Sequence, residues 1–350
     1  MPDSVSIVGT AAAPVLHHYA APPDGFLTVP ITGLRDLLGG PSLIEIPGRR
    51  DPPLFLSVLL HGNETTGFLA LQQVLRHYRN TGLPRGVTVF VGNVDAAVHG
   101  VRRLDGQPDY NRIWPGGDDT DTHEGRIAAE VLERMQRRGV FASVDIHNNT
   151  GVNPYYGCIN RPDRGYLALA SLFSRVVVYF TRPRGVQSLA FAAFCPAVTV
   201  ECGRPGLQAG VDHAASFLDA VLHLADIPEH PATDNIGLYH TVATVRIPEP
   251  QHFGFGEVVD GIGFFEDLDQ LNFRELPTGT ALGRYQGRTV PLLVEDAEGM
   301  DVSAHYFAVR GGELITARRL MLSMLTRDER VIRQDCLCYV MEEMEFCPWE

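Results

Sequence analysis

The stretch Ser57-Val58-Leu59-Leu60-His61-Gly62-Asn63-Glu64-Thr65-Thr66-Gly67 joins two kinds of periodicity. Before it, the apolar run from Leu54 to Leu60 reads as a strand buried on both faces. After it, Thr66 to Tyr78 carries a helical pattern, and Gly62 separates the two. His61 therefore falls at the carboxyl end of a strand, the side on which α/β sheets bind ligands. Glu64 follows three residues later. A strand end leading into a first helical turn aims both side chains at one point, as zinc with nitrogen and carboxylate ligands at about 2.0–2.2 Å requires. A glutamate here also suits the positive end of a helix dipole, so His-x-x-Glu alone leaves both readings open.

Working outward, Gly86 to Asn93 is a second β-branched run, and the alternation of strands with helices is that of a mostly parallel sheet. His123 to Arg137 places Ile127, Val131, Leu132 and Met135 on one helical face, between Asp121 and Gly139 as terminal signals. Val140 to Ile146 then reads as a third strand, delivering Asp145-Ile-His147-Asn-Asn-Thr-Gly151. A second histidine at a second strand end completes a His61, Glu64, His147 set. Three protein ligands with an open fourth position suit a catalytic zinc rather than a structural one. After a strand at Val176 to Phe180 comes Ala197-Val-Thr-Val-Glu201-Cys-Gly203. A carboxylate in a nearly buried strand is costly unless partnered. Glu201 either caps the turn or pairs with Arg204, or it serves as general base toward a water activated by the metal, and its company favours the base. Gly210 to Ala225 closes this part as a helix.

The remaining segments say less about chemistry. Within residues 1 to about 52, rich in Ala, Pro and Gly, the pattern gives strands at Gly25 to Ile31 and Ser42 to Ile46 with a segment at Leu34 to Leu38 between. Val94 to Asp121 is a long connection holding Arg102, Arg103, Asp109, Tyr110, Asn111, Arg112 and Trp114, and such loops in compact domains are usually functional. Its arginines suit a substrate carboxylate through paired hydrogen bonds, or equally a surface pairing with Asp105 or Asp109. Past the Pro-, Asp- and His-rich loop Asp226 to Asn235, short alternating segments (Leu238 to Ile247, Gly256 to Ile262, Thr280 to Tyr285, Thr289 to Val294) indicate a β-rich region. The expected division is 1–230 and 231–350. Cys336, Cys338 and Cys347 lack paired zinc-site spacing and read as packed thiols.

Composition narrows the function classes. At 350 residues, 45% hydrophobic and 20% charged, the chain suits one large and one small globular domain. A formal charge of −13 opposes nucleic-acid partners. All 29 basic residues are arginine, which excludes Schiff-base catalysis, pyridoxal phosphate anchoring and a P-loop lysine. Six cysteines are too sparse for a disulfide scaffold, the Met-Pro-Asp-Ser start lacks a basic leader segment, and no window is apolar enough to span a membrane. The expectation is a cytoplasmic protein without membrane association.

Together "HGNETTG", "DYNRIWPG", "DIHNNTG" and "VTVECG" resemble the zinc carboxypeptidase superfamily, in its aspartoacylase and succinylglutamate desuccinylase branch, over about residues 50 to 225. The resemblance implies an α/β, zinc-carboxypeptidase-like mixed sheet flanked by helices, with a smaller β-rich C-terminal domain. It also implies one Zn2+ per chain held by His61, Glu64 and His147, with Glu201 as the catalytic carboxylate. Asn111 and Arg112 match the pair that receives the substrate carboxylate and helps polarise the scissile carbonyl. Asp109 takes the place of an aspartate that holds the first zinc histidine, and Tyr306 of "HYFAVRGGEL" resembles a tyrosine lowered over the substrate. Asp95 stands where aspartoacylase has an arginine, which leaves Arg103 for that role and sets a negative charge against a second substrate carboxylate. The implied activity is zinc-dependent hydrolysis of the amide of a small N-acyl amino acid. A carboxypeptidase- or esterase-type hydrolase and a catalytically silent zinc-containing binding protein are the alternatives, and homo-oligomer formation stays open.

Overall fold

The computed structural model describes residues 14–231, 233, 235–258 and 260–344. Cys347, the opening Met-Pro-Asp-Ser and Val259 of the expected Gly256 to Ile262 segment lie outside them. The described residues form two compact units. The first takes the residues up to Asn148, Tyr156–Val177 and Pro183–Ile236. The second takes Asn149–Tyr155, Val178–Arg182 and the residues from Gly237 on.

The first unit is a mixed sheet with helices. Its strands are β1 (His17–Tyr19), β2 (Ser42–Ile46), β3 (Leu54–Val58), β4 (Val87–Val91), β5 (Ser143–His147), β6 (Tyr156–Ile159), β7 (Val176–Tyr179, of which only Val176 and Val177 belong to this unit) and β8 (Ala197–Glu201), in the order β1-β2-β4-β3-β5-β8-β6-β7. The central strands β4, β3, β5 and β8 run parallel to their neighbours in that group and are buried at every residue. Burial on both faces is why they read as unbroken apolar runs. Antiparallel pairings of β2 with β4 and of β6 with β8 make the sheet mixed. Because β3, β5 and β8 are parallel neighbours, their carboxyl ends emerge side by side, carrying His61, His147 and Glu201.

The helices are α1 (Leu34–Leu38), α2 (Thr66–His77), α3 (Val94–Val98), α4 (His123–Arg138), α5 (Arg164–Ser171), α6 (Gln187–Phe191) and α7 (Gln208–His223). In α4 the N-cap is Thr122, whose Oγ1 accepts from Gly125 N–H at 2.9 Å, rather than the expected Asp121. Its buried face holds Ile127, Val131, Leu132 and Met135, each worth about 1.5–3 kcal/mol when fully buried, so a charge at Val131 would undo the helix's seat. Short α3 opens the expected loop after Val94. Gly25 to Ile31 is a turn, not a strand. Gly25 has φ 89°, and Phe26 is buried edge-on against Phe68 with ring centroids 5.3 Å apart, so one anchored aromatic replaces strand alternation.

The second unit is built of short strands. One set is β9 (Gly237–Arg246), β12 (Glu275–Leu276), β14 (Leu293–Asp296), β17 (Leu320–Ser323) and β18 (Cys338–Met344). The other is a sheet of β10 (Phe253–Phe255), β11 (Ile262–Phe264), β13 (Ala281–Arg284), β15 (Phe307–Arg310) and β16 (Glu313–Thr316). Val245, Phe264, Leu282, Val294, Phe307, Leu314 and Val340 fill its core. Most of the expected Gly256 to Ile262 strand is instead a connection, with Gly256 and Gly261 at positive φ, and β11 begins only at Ile262. Cys336 and Cys338 are buried.

Candidate metal centre

The backbone turns sharply on leaving β3. Leu59 is a buried non-glycine residue with φ 57°, and its carbonyl is held by Asn93 N–H at 2.7 Å. Such a conformation costs an L-residue and persists where the surroundings over-determine it. Gly62 then passes close to α3: a Cβ there would lie 2.3 Å from the backbone of Ala96 and Ala97, so no other residue fits. Its N–H donates to the carbonyl of Arg102 at 3.0 Å. The turn closes with Glu64 N–H on the His61 carbonyl at 3.1 Å, which brings the two side chains to one side.

Glu64 lies between two imidazoles. Its Oε1 is 2.8 Å from His61 Nδ1 and its Oε2 is 2.8 Å from His147 Nδ1, and the three ligand atoms lie within 4.8 Å of one another. The ring centroids are 5.1 Å apart. Each far nitrogen meets a carboxylate: His61 Nε2 is 2.9 Å from Asp109 Oδ1, and His147 Nε2 is 2.8 Å from Asp145 Oδ2. All these groups are buried. Burial and the Arg102 charge pull the His61 pKa down, but Glu64 and Asp109 outweigh them and raise it. Burial likewise opposes protonation of His147, yet Asp145 and Glu64 lift it well above the ordinary value. Burial pushes the carboxyls of Glu64 and Asp109 up, but the facing histidines, joined at Asp109 by Arg102, bring both well below the carboxylate range. The pocket thus strongly favours positive charge where the two Nδ1 atoms converge on Glu64. Two nitrogens and a carboxylate oxygen, on rings fixed by second carboxylates, form a donor set that fits zinc.

Several residues here escaped the sequence reading. Asp145 and His147 are two apart on one strand and so share a face. Ser57 is the register partner of Asp145 and donates to its Oδ1 at 2.7 Å. The period-2 spacing of Asp145 and His147, and a lone serine inside an apolar strand, were the available signals. Asn148 ties three segments: its Oδ1 accepts from Thr66 N–H at the start of α2 (3.3 Å), its Nδ2 donates to Gly203 O (2.8 Å), and its N–H donates to Glu64 Oε2 (3.0 Å).

The other candidates are distributed as follows. Glu201, 7% exposed, is the register partner of His147 on the next strand, and partners in register project from the same face. After burial, its charge is the next cause lifting the Cys158 and Cys202 thiols. Asn111 accepts from Gln187 N–H at 3.0 Å, which fixes its amide orientation, and its Nδ2 lies 3.4 Å from His147 Nε2. Arg112 is half-buried, with Nη1 donating to Asn111 O at 2.7 Å. Arg103 donates to Gln107 O at 2.9 Å. Asp95 pairs with Arg35 at 3.0 Å. Tyr306 is buried in the apolar cluster of the second unit.

Residues 51–227 match the model of the succinylglutamate desuccinylase/aspartoacylase catalytic domain. No curated protein matches the sequence. Among solved structures, the chain is similar to a succinylglutamate desuccinylase from Chromobacterium violaceum, at 20% identity and TM-score 0.56, covering 87% of this chain and 89% of that one. It is similar also to a succinylglutamate desuccinylase/aspartoacylase from Rhodobacter sphaeroides, at 18% identity and TM-score 0.57 over 86% and 89%. Murine aminoacylase 3 gives 15% identity and TM-score 0.51 over 84% and 97%. At such identities the likeness is one of fold.

Proposed function

The chain belongs to the succinylglutamate desuccinylase/aspartoacylase family of hydrolytic deacylases, and from that premise we propose that it cleaves the amide bond of an N-acyl amino acid with one zinc ion per chain. The observation that carries the reading is Glu64 set between the Nδ1 atoms of His61 and His147, each ring held from behind by an aspartate. Bound by these three residues, zinc would supply Lewis acidity, lowering the pKa of water toward about 7 and drawing charge from the scissile carbonyl. Glu201 takes the proton of the attacking water and returns it to the leaving amine nitrogen. Asp109 and Asp145 accept the Nε2 protons, which keeps each Nδ1 free to ligate. Arg112, with Asn111 and Arg103, receives the substrate carboxylate. The role of Tyr306 over the substrate rests on the resemblance of its segment alone.

No described helix is long and apolar enough to cross a membrane. The test is a panel of N-acyl amino acids, C-terminal peptides and chromogenic esters, with and without chelator, read out as free amine or released chromophore. Chelator-sensitive release of amine from N-acyl amino acids supports the reading. Turnover confined to peptides or esters would replace the bond assigned here, and no turnover of any class by zinc-loaded protein would leave a binding protein.

A further inference from the structure

We propose that the side chain of Asn148 is a positioning residue, a crosspiece that sets Glu201 against the metal ligands; this rests on reading His61, Glu64 and His147 as the metal site and Glu201 as its base. Asn148 follows His147 directly and is 3% exposed. Its amide spans two other segments. Oδ1 accepts from Thr66 N–H at 3.3 Å, at the first residue of α2 and two residues past Glu64. Nδ2 donates to Gly203 O at 2.8 Å, two residues past Glu201, in a turn where Gly203 has φ 67°. The main chain of Asn148 adds a third tie, its N–H on Glu64 Oε2 at 3.0 Å. One residue thus touches a metal ligand, the helix that follows that ligand and the turn that follows the base.

The partners leave little choice of side chain. An N–H only donates and a carbonyl oxygen only accepts, so the bridge needs an acceptor and a donor on one short side chain, which is an amide. Thr66 is fully buried, so water does not reach its N–H, and the N-cap Thr65 makes no side-chain bond to the helix. α2 therefore takes its cap from another strand end. The seat is tight: a Cβ on Gly67 would lie 2.9 Å from the Cβ of Ile146, the residue before His147. On the other side Cys202 N–H donates to His147 O at 2.9 Å, and the Asn148 amide carries that tie one residue further. Such a brace matters because a misplacement of about 1 Å in a catalytic group costs about 10²-fold in rate.

The experiment compares the full-length parent with Asn148→Ala, which loses both side-chain bonds, and Asn148→Asp, which keeps an acceptor for Thr66 and loses the donor to Gly203. Values of kcat and KM are measured on the N-acyl amino acid that the parent turns over fastest, zinc content by metal analysis, the visible spectrum with Co2+ in place of zinc, and stability by the urea midpoint. Both variants are expected to keep about one zinc per chain and to lose about 10²-fold in kcat with KM little changed. Their Co2+ spectra are expected to be altered, because Glu64 leads into α2. A lower urea midpoint with parental kcat and spectrum would make Asn148 a structural residue only and overturn the proposal. Parental kcat in Asn148→Asp beside a slow Asn148→Ala would leave a helix cap and overturn it also, since aspartate caps about as well as asparagine. A raised KM at parental kcat, the mark of a substrate contact, does the same. If Asn148→Ala does not fold, Asn148→Asp decides: slow turnover with an altered spectrum supports the role, and parental values refute it. If the parent binds neither Zn2+ nor Co2+, or Glu201→Gln turns substrate over normally, the underlying reading fails and this proposal with it. If the parent binds metal and Glu201→Gln is slow while the Asn148 variants match the parent, only the role of Asn148 fails.

Discussion

The hydroxyl of Ser57 donates to Asp145 Oδ1 at 2.7 Å, across neighbouring strands in which the two residues are register partners. Asp145 holds His147 Nε2 through its other oxygen, so a serine in the sheet interior braces a candidate metal ligand at one remove. Both residues are fully buried, and a buried acceptor left unmet costs about 1–3 kcal/mol. Ser57→Ala is expected to lower the unfolding free energy by about that amount, seen as a lower urea midpoint at unchanged slope. A midpoint equal to the parent's would show that the hydroxyl does not brace Asp145.

Asp145→Asn keeps the shape of the side chain but loses the charge facing His147. The expected result is Zn2+ binding about 10–100-fold weaker, measured by chelator competition. Parental affinity would mean that the Nε2 contact is incidental.

Glu201→Gln separates holding the metal from using it. Its expected outcome is full zinc content by metal analysis with deacylation slowed by about 10²–10⁴, the range lost with a general acid or base. Normal turnover would take the proton transfer away from Glu201.

The pH dependence should differ in sign with and without metal. His61 and His147 have raised folded pKa values, so in metal-free protein their contribution to stability is present below the unfolded value of about 6.5 and is lost as pH rises through the folded values. Glu64 and Asp109 have depressed values, so theirs is present above about pH 4 and is lost as pH falls through the folded values. Zinc needs unprotonated imidazoles, so its stabilisation grows over the upper range. Melting curves from about pH 5.5 to 8 should show metal-free protein losing stability while the gap to zinc-loaded protein widens. A gap that is constant or narrows contradicts the charge assignment.

Asp95 is paired with Arg35, and this pairing is expected to offset its charge toward an acidic substrate. Asp95→Asn should leave the ratio of turnover on acetylated acidic and basic amino acids within about twofold, as befits a partly exposed ion pair. A large shift toward diacids would restore Asp95 as a determinant of substrate charge.

What could be read from the sequence follows the reach of each interaction. β3 and β4 were legible because strands buried on both faces leave continuous apolar runs. The ends of β3, β5 and β8 were legible because Gly62, Asn148 and Gly203 break those runs beside chemically capable side chains. β1, β6, α5 and α6 were missed because short elements mix polar and small residues within one or two turns or repeats. Phe26 misled, since one aromatic anchored on Phe68 imitates strand patterning. The pairing of a loop arginine with Asp109 was one of the two readings open in the sequence, and it falls to Arg102, whereas Ser57 on Asp145 stayed hidden because pairing across strands is set by register, which no local pattern states.

The central claim is that His61, Glu64 and His147 share one divalent ion. Metal analysis of parent, His61→Ala and His147→Ala proteins after dialysis against zinc-containing buffer, with folding checked by circular dichroism, tests it most directly. The account predicts about one zinc per chain in the parent and almost none in either folded variant. Zinc retained in both variants at the parental level would contradict it.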